Sequence, residues 1–101
     1  MSALLIHWST RALERASEAM DYIARYDADR AERWVEDLFE HTEKISDFPR
    51  MGRVVPEVGR DTIREVFFEQ FRVIYRITPA RIEIMTLRHM RENLDADDLK
   101  E

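Results

Sequence analysis

IREVFFEQFRVIYRI, residues 63–77, decides the fold: two apolar runs flank Glu69-Gln70 and read as two strands joined by a tight turn. A third run, RIEIMTLR at residues 81–88, follows Pro79-Ala80, so residues 62–68, 71–78 and 81–88 are expected to form an antiparallel meander. Pairing Phe68 with Phe71 across the first turn pairs Val66 with Val73, Phe67 with Arg72 and Glu65 with Ile74. Pairing Ile77 with Ile82 across the second pairs Tyr75 with Ile84, Arg76 with Glu83, Ile74 with Met85 and Arg72 with Leu87. Side chains alternate between faces along a strand. One face is then Val66, Phe68, Phe71, Val73, Tyr75, Ile77, Ile82 and Ile84, apolar enough to need a cover of helices. The other is Ile63, Glu65, Phe67, Arg72, Ile74, Arg76, Glu83, Met85 and Leu87, half apolar and half charged. A mixed patch of this kind suits a protein contact. The expectation is that a partner polypeptide covers it, rather than the acidic tail folding back with Leu94 or Leu99.

Upstream of the meander, LLIHWS (residues 4–9) reads as a first strand, with Ser9 or Thr10 placed to cap a helix. Ala12, Leu13, Ala16, Met20, Ile23 and Tyr26 recur at helical spacing. After YDADRAE a second helix carries Ala31, Val35, Leu38, Thr42 and Ile45 on one side, widened by Trp34 and Phe39. Its cap is Asp29, in a box with Glu32, or Asp27. So short a link makes an antiparallel helical hairpin. DFPRMGRVVPEVGRD (47–61) holds both glycines and two of the three prolines, and is read as the one long loop. The expected fold is therefore α+β: an N-terminal strand, an α-helical hairpin, then an antiparallel three-stranded meander. Residues 1–91 form a single domain and residues 92–101 an acidic C-terminal tail.

A chain of 101 residues, 45% hydrophobic and 37% charged, suits one soluble domain and not a disordered segment. It lacks cysteine, which fits a reducing cytoplasm. The N-terminus is too short in apolar residues to read as a signal peptide or membrane span. Charge is unevenly spread. Residues 50–91 carry nine cations, all arginine, against five acidic residues, while residues 92–101 carry one lysine against five acids. Arginine is the cation best shaped for paired contact with carboxylate or phosphate.

Ordinary catalytic motifs are missing. Two glycines cannot build a phosphate-cradling loop. His7, His41 and His89 lack metal-ligand spacing, so neither a metal nor a cofactor is expected. His89, in LRHMRE, ends the last strand beside arginines and could move a proton in RNA cleavage, although a polar strand-end role is the simpler reading. Trp8 and Trp34 read as packing residues.

The combination of FPRMGRVVPE, IREV, FRVIYRI and IEIMTLRHMRE over nearly the whole chain resembles the ParE/RelE superfamily of bacterial toxin–antitoxin toxins. That resemblance implies a two-layer α+β fold and a cognate antitoxin whose C-terminal segment neutralises the toxin. RelE-like members are ribosome-dependent messenger-RNA endoribonucleases that use basic residues on the open sheet face. ParE-like members poison DNA gyrase instead. Arg72 matches the arginine of the ribonuclease strand, but Glu65 and Ile63 stand where lysines belong, Met90 replaces an arginine, and RENLDADD lacks the tyrosine. The resemblance thus implies a ParE-like, non-enzymatic gyrase inhibitor held by a ParD-like antitoxin, touching nucleic acid only through that antitoxin, with no membrane role. The alternative is the endoribonuclease, with Arg72, His89 and Arg91 as a reduced catalytic set. The target surface is assigned to Arg72, His89, Arg91, Phe67, Ile74, Met85 and Leu87. The antitoxin is assigned to Trp34, Phe39 and Arg76, in the outer groove of the helical hairpin. Arg64 is expected to brace the loop from the end of the sheet.

Overall fold

The computed structural model describes residues 4–99. Strand β1 (Leu5–Trp8) leads into helix α1 (Thr10–Ala24), and helix α2 (Ala28–Asp47) returns to the sheet. Strands β2 (Arg53–Val54), β3 (Ile63–Phe68), β4 (Phe71–Ile77) and β5 (Arg81–His89) follow, and a 3₁₀ turn, η1 (Ala96–Leu99), closes the described chain. The sheet order is β1-β5-β4-β3-β2, with β1 parallel to β5 and every other pair antiparallel. The expected strand, hairpin and meander are all present. The short β2, inside what reads as loop, adds a fifth strand.

Local chemistry starts and stops these elements. Ser9 caps α1 by accepting the Ala12 N–H at 3.0 Å, and the same hydroxyl donates to the Met85 carbonyl at 2.8 Å. Of the two candidates for the second cap it is Asp27 that serves, accepting the Arg30 N–H at 3.1 Å. The hairpin buries Ala12, Ala16, Trp34, Leu38 and Ile45 against Val66, Phe68, Val73, Tyr75, Ile82 and Ile84 of the sheet. That sheet face is the one expected from alternation.

The other face departs from expectation in two ways. First, β5 carries a bulge: Tyr75 pairs with Ile84 but Ile74 pairs with Thr86, so Met85 is left between them without a partner. Beyond the bulge the faces exchange. Leu87, expected on the outer side, pairs with Val73 and joins the core under the helices, while Arg88 pairs with Arg72 on the outer side. Second, the outer face is not open. Leu94 and Leu99 pack on a second apolar cluster of Val55, Ile63 and Ile74, and Ile74, Met85 and Arg72 are all buried. The tail, not a second polypeptide, covers Ile74 and reaches Arg72.

The long loop is pinned from inside. The Tyr75 hydroxyl donates to the Pro49 carbonyl at 2.6 Å and accepts the Gly52 N–H at 3.0 Å. Gly52 lies so close to the sheet that a Cβ there would meet the Glu65 carbonyl oxygen at 2.5 Å and the Tyr75 hydroxyl at 2.7 Å. Arg64 braces the loop as expected, donating to the Asp61 and Gly52 carbonyls at 2.9 and 2.8 Å and pairing with the Asp61 carboxylate at 2.6 Å. Tyr75→Phe leaves the buried Gly52 N–H and the partly buried Pro49 carbonyl without their partner and should cost about 1–3 kcal/mol. Gly52→Ala should cost at least as much, because the clash is with backbone and cannot be relieved by a rotamer. Thermal unfolding followed by circular dichroism checks both, and an unchanged midpoint for Gly52→Ala would contradict the close approach.

Candidate functional site

The outer face of the sheet is an arginine surface neutralised from within. Arg72 is 4% exposed. Its Nε donates to Glu65 Oε1 at 2.6 Å, and its two terminal nitrogens grip both oxygens of Glu57 at 2.7 and 2.8 Å. The other oxygen of the fully buried Glu65 carboxylate receives Arg53 Nε at 2.6 Å, and the Arg53 guanidinium lies 5.1 Å from the centre of the Phe67 ring. Such buried charges persist only when paired and hydrogen-bonded on every side. The hydrogen bonds from Arg72 depress Glu57 to a pKa of about 2, and Glu57 in turn holds Arg72 above the ordinary guanidinium range.

A second knot joins the tail. Asp98 is completely buried. Its carboxylate accepts from Arg11 Nε and Arg88 Nε, each at 2.8 Å, and from the Asp95 N–H at 2.9 Å, with the Thr86 hydroxyl at 3.4 Å. Burial pushes the Asp98 carboxyl up, but the bonds from Arg88, the Asp95 N–H and Arg11 outweigh it and hold it below the usual range. Arg88 also reaches Asp95 at 2.8 Å and Glu92 at 3.1 Å. The N–H of His89 and then the Arg88 guanidinium lower Glu92 as well. Main-chain carbonyls of the tail are also bound: Glu92 by Arg72 at 3.1 Å and Leu99 by Arg76 at 3.2 Å.

These contacts place every residue expected at a functional site. Arg72 and Ile74 lie beneath the tail, Met85 is buried beside Arg76, and Leu87 lies on the helix side. Phe67 stays exposed, beside Arg53. His89 pairs with Phe71, one position beyond the Arg72–Arg88 pair, so it faces the helix side and not the side of Arg72. Its Nδ1 accepts the Arg91 N–H at 3.3 Å, and its Nε2 lies 3.4 Å from Gln70 Oε1. Arg72, His89 and Arg91 are thus not gathered about one point. Among the antitoxin candidates, Trp34 is buried with its ring edge-on to Phe68 and Phe71, whereas Phe39 is exposed and packs edge-on to Trp8. They do not form one stripe. Arg76 is the tail's carbonyl partner. Arg11, Glu57, Arg88 and Asp98 were missed by sequence reasoning. The one signal pointing to them was the excess of arginine in residues 50–91 beside the acid-rich tail.

Several concavities remain accessible, and two of them take in Trp34, His89, Phe67 and Arg72. A groove of about 680 Å³ runs between α1, the start of α2 and the β3–β4 turn, lined by Tyr22, Trp34, Gln70, Phe71 and His89 and flanked by Arg15 and Arg30. A shallower hollow beside Arg72 is lined by Arg53, Pro56, Phe67 and Met90. Among the described residues no cluster of His, Asp or Glu is arranged to hold a metal ion, and no helix is long and apolar enough to cross a membrane.

Comparison with known proteins follows the same lines. Residues 6–94 match the family model described as ParE toxin of type II toxin-antitoxin system, parDE. A solved structure described as "Chromosomal ParDE TA system from P. aeruginosa" superposes with a TM-score of 0.71 at 18% sequence identity, covering 86% of this chain and 96% of that one. No curated protein matches.

Because Glu57, Glu92 and Asp98 all titrate below their ordinary values, the stability they lend is complete above the unfolded carboxylate range and lost as acid protonates them. For Glu57 the loss should run from about pH 4.5 down to about 2. Urea unfolding across that range should show it, and Glu57→Gln should flatten the slope. An unaltered slope in that variant would contradict the pairing.

Proposed function

Because this chain belongs to the ParE toxin family of type II toxin–antitoxin systems, we propose that it is the toxin of such a pair, inhibits DNA gyrase by binding, and is neutralised in the cytoplasm by a ParD-like antitoxin. The observation that carries the binding reading is the state of Arg72. Phosphodiester cleavage needs cations free to hold phosphate and stabilise developing charge. Arg72 is instead held by the carboxylates of Glu57 and Glu65 and separated from His89 by the sheet. The endoribonuclease reading therefore loses its principal cation.

The accessible residues support two contact regions. Phe67 and Arg91 remain exposed at the sheet's outer side and end, where a target protein can reach them. The aromatic groove between the helices and the β3–β4 turn suits an amphipathic antitoxin helix, with Trp34 at its floor and Tyr22 at its rim. Phe39, on another part of α2, gives the antitoxin a further apolar contact.

Purified chain should inhibit gyrase supercoiling, and its induction in cells should leave translated messages without codon-phased cuts by primer extension. Phe67→Asp and Arg91→Glu should weaken gyrase inhibition by more than ~1 kcal/mol in apparent affinity, with the melting temperature unchanged in Arg91→Glu. Codon-phased cleavage, or full inhibition by both variants, would defeat the proposal.

A further inference from the structure

The outer face of the sheet holds a segment of its own chain through contacts of several kinds. Arg11, Arg72, Arg76 and Arg88 come from one helix and two strands, yet all converge on residues 92–99. They bind two kinds of group. Arg88 and Arg11 take the carboxylates of Asp95 and Asp98, and Arg72 and Arg76 take the carbonyls of Glu92 and Leu99. Glu57 accepts the Leu94 N–H at 3.3 Å, so the site also reads a main-chain donor. Between these polar contacts, Leu94 and Leu99 fill the hollow over Val55, Ile63 and Ile74. Side chains of both characters and the backbone are thus recognised over one short segment, which is how an extended ligand is held.

The segment lies apart from the main core: among the described residues, none of the tail joins the cluster beneath the helices. Its described residues add no strand to the sheet, and their only regular structure is the four-residue η1. Most of its charged contacts reach solvent at one partner, so salt screens them; Asp98 is the exception.

We propose that this face is a recognition site for acidic, leucine-flanked peptide segments of the pattern Leu-Asp-x-x-Asp-Leu, filled in cis by residues 94–99 and able to accept the same chemistry from a partner protein. Asp98 is the specificity element, since it alone enters the wholly buried position between Arg11 and Arg88. A tethered tail competes at an effective concentration on the order of millimolar, so a free peptide gains access only when the tail's hold is loosened. The site is independent of the gyrase assignment.

The test uses the full-length chain and a fluorescent peptide of residues 92–101, ENLDADDLKE. Asp98→Asn, which keeps side-chain shape but removes the charge, should bind that peptide at least tenfold more tightly than the wild-type chain by fluorescence anisotropy. Leu94→Ala/Leu99→Ala, which leaves all four arginines and the main core in place, should show the same gain. The peptide carrying Asp98→Asn, and a scrambled peptide of equal charge, should each bind at least tenfold more weakly than the native one. Absence of a gain in both variants overturns the proposal. Equal binding of the scrambled peptide or of a single-stranded RNA of matched charge also overturns it, by making the face a general anion surface. Concentration-dependent dimers on size exclusion would overturn it in favour of tails exchanged between two copies.

Discussion

Arg72 and Glu65 form an ion pair inside the sheet, and much of the molecule is arranged so that these two charges can stay there. A guanidinium and a carboxylate taken out of water cost several kcal/mol each unless every donor and acceptor finds a partner. Glu65 therefore requires a second arginine, supplied by Arg53 from β2, and Arg72 requires a second carboxylate, supplied by Glu57 from the long loop. A further N–H of the Arg72 guanidinium turns to the carbonyl of Glu92. In this way a single cross-sheet pair fixes the strand that edges the sheet, the path of the loop and the point where the C-terminal segment begins its return. Charge that looks available in the sequence is consumed in holding the fold.

That consumption separates two uses of one architecture. A sheet face lined with unpaired cations holds a nucleic-acid backbone, whereas one whose cations are answered by carboxylates presents little net field and recognises shape and hydrogen-bonding pattern. This chain has the second arrangement. The chain belongs to the ParE toxin family of type II toxin–antitoxin systems, and aromatic side chains are exposed on both sides of the molecule.

Much of the architecture was legible in the sequence because short-range rules govern it. Two-residue turns at Glu69-Gln70 and Pro79-Ala80 set the register of β3 with β4 and the first half of β5, and most of the helix stripes face the core, although Leu13, Tyr26 and Phe39 stay exposed. Arg64 was read correctly because its place at the strand end leaves only the loop within reach. The outer face was misread for two reasons. A bulge leaves no mark on composition, since IEIMTLRH alternates plausibly with or without one, and so Leu87 and Arg88 were exchanged. The tail's return depends on contacts across 87 positions, as between Arg11 and Asp98, and a partner of the same acidity would satisfy the same arginines. Composition could say that this face wanted carboxylates; it could not say whose.

The unpaired Met85 has a further meaning for how such a chain can vary. Ser9 ties its carbonyl to the start of α1, so the extra residue sits at a fixed address instead of sliding along the strand. Loss of that one residue would leave both faces as they are, since Thr86 and Leu87 already stand opposite Ile74 and Val73. A residue added or removed between Thr86 and His89 would instead turn the following side chains over, placing a cation among the helix-facing side chains or an aliphatic among the acids. Strand β5 should therefore tolerate a change of length at Met85 far better than one further along.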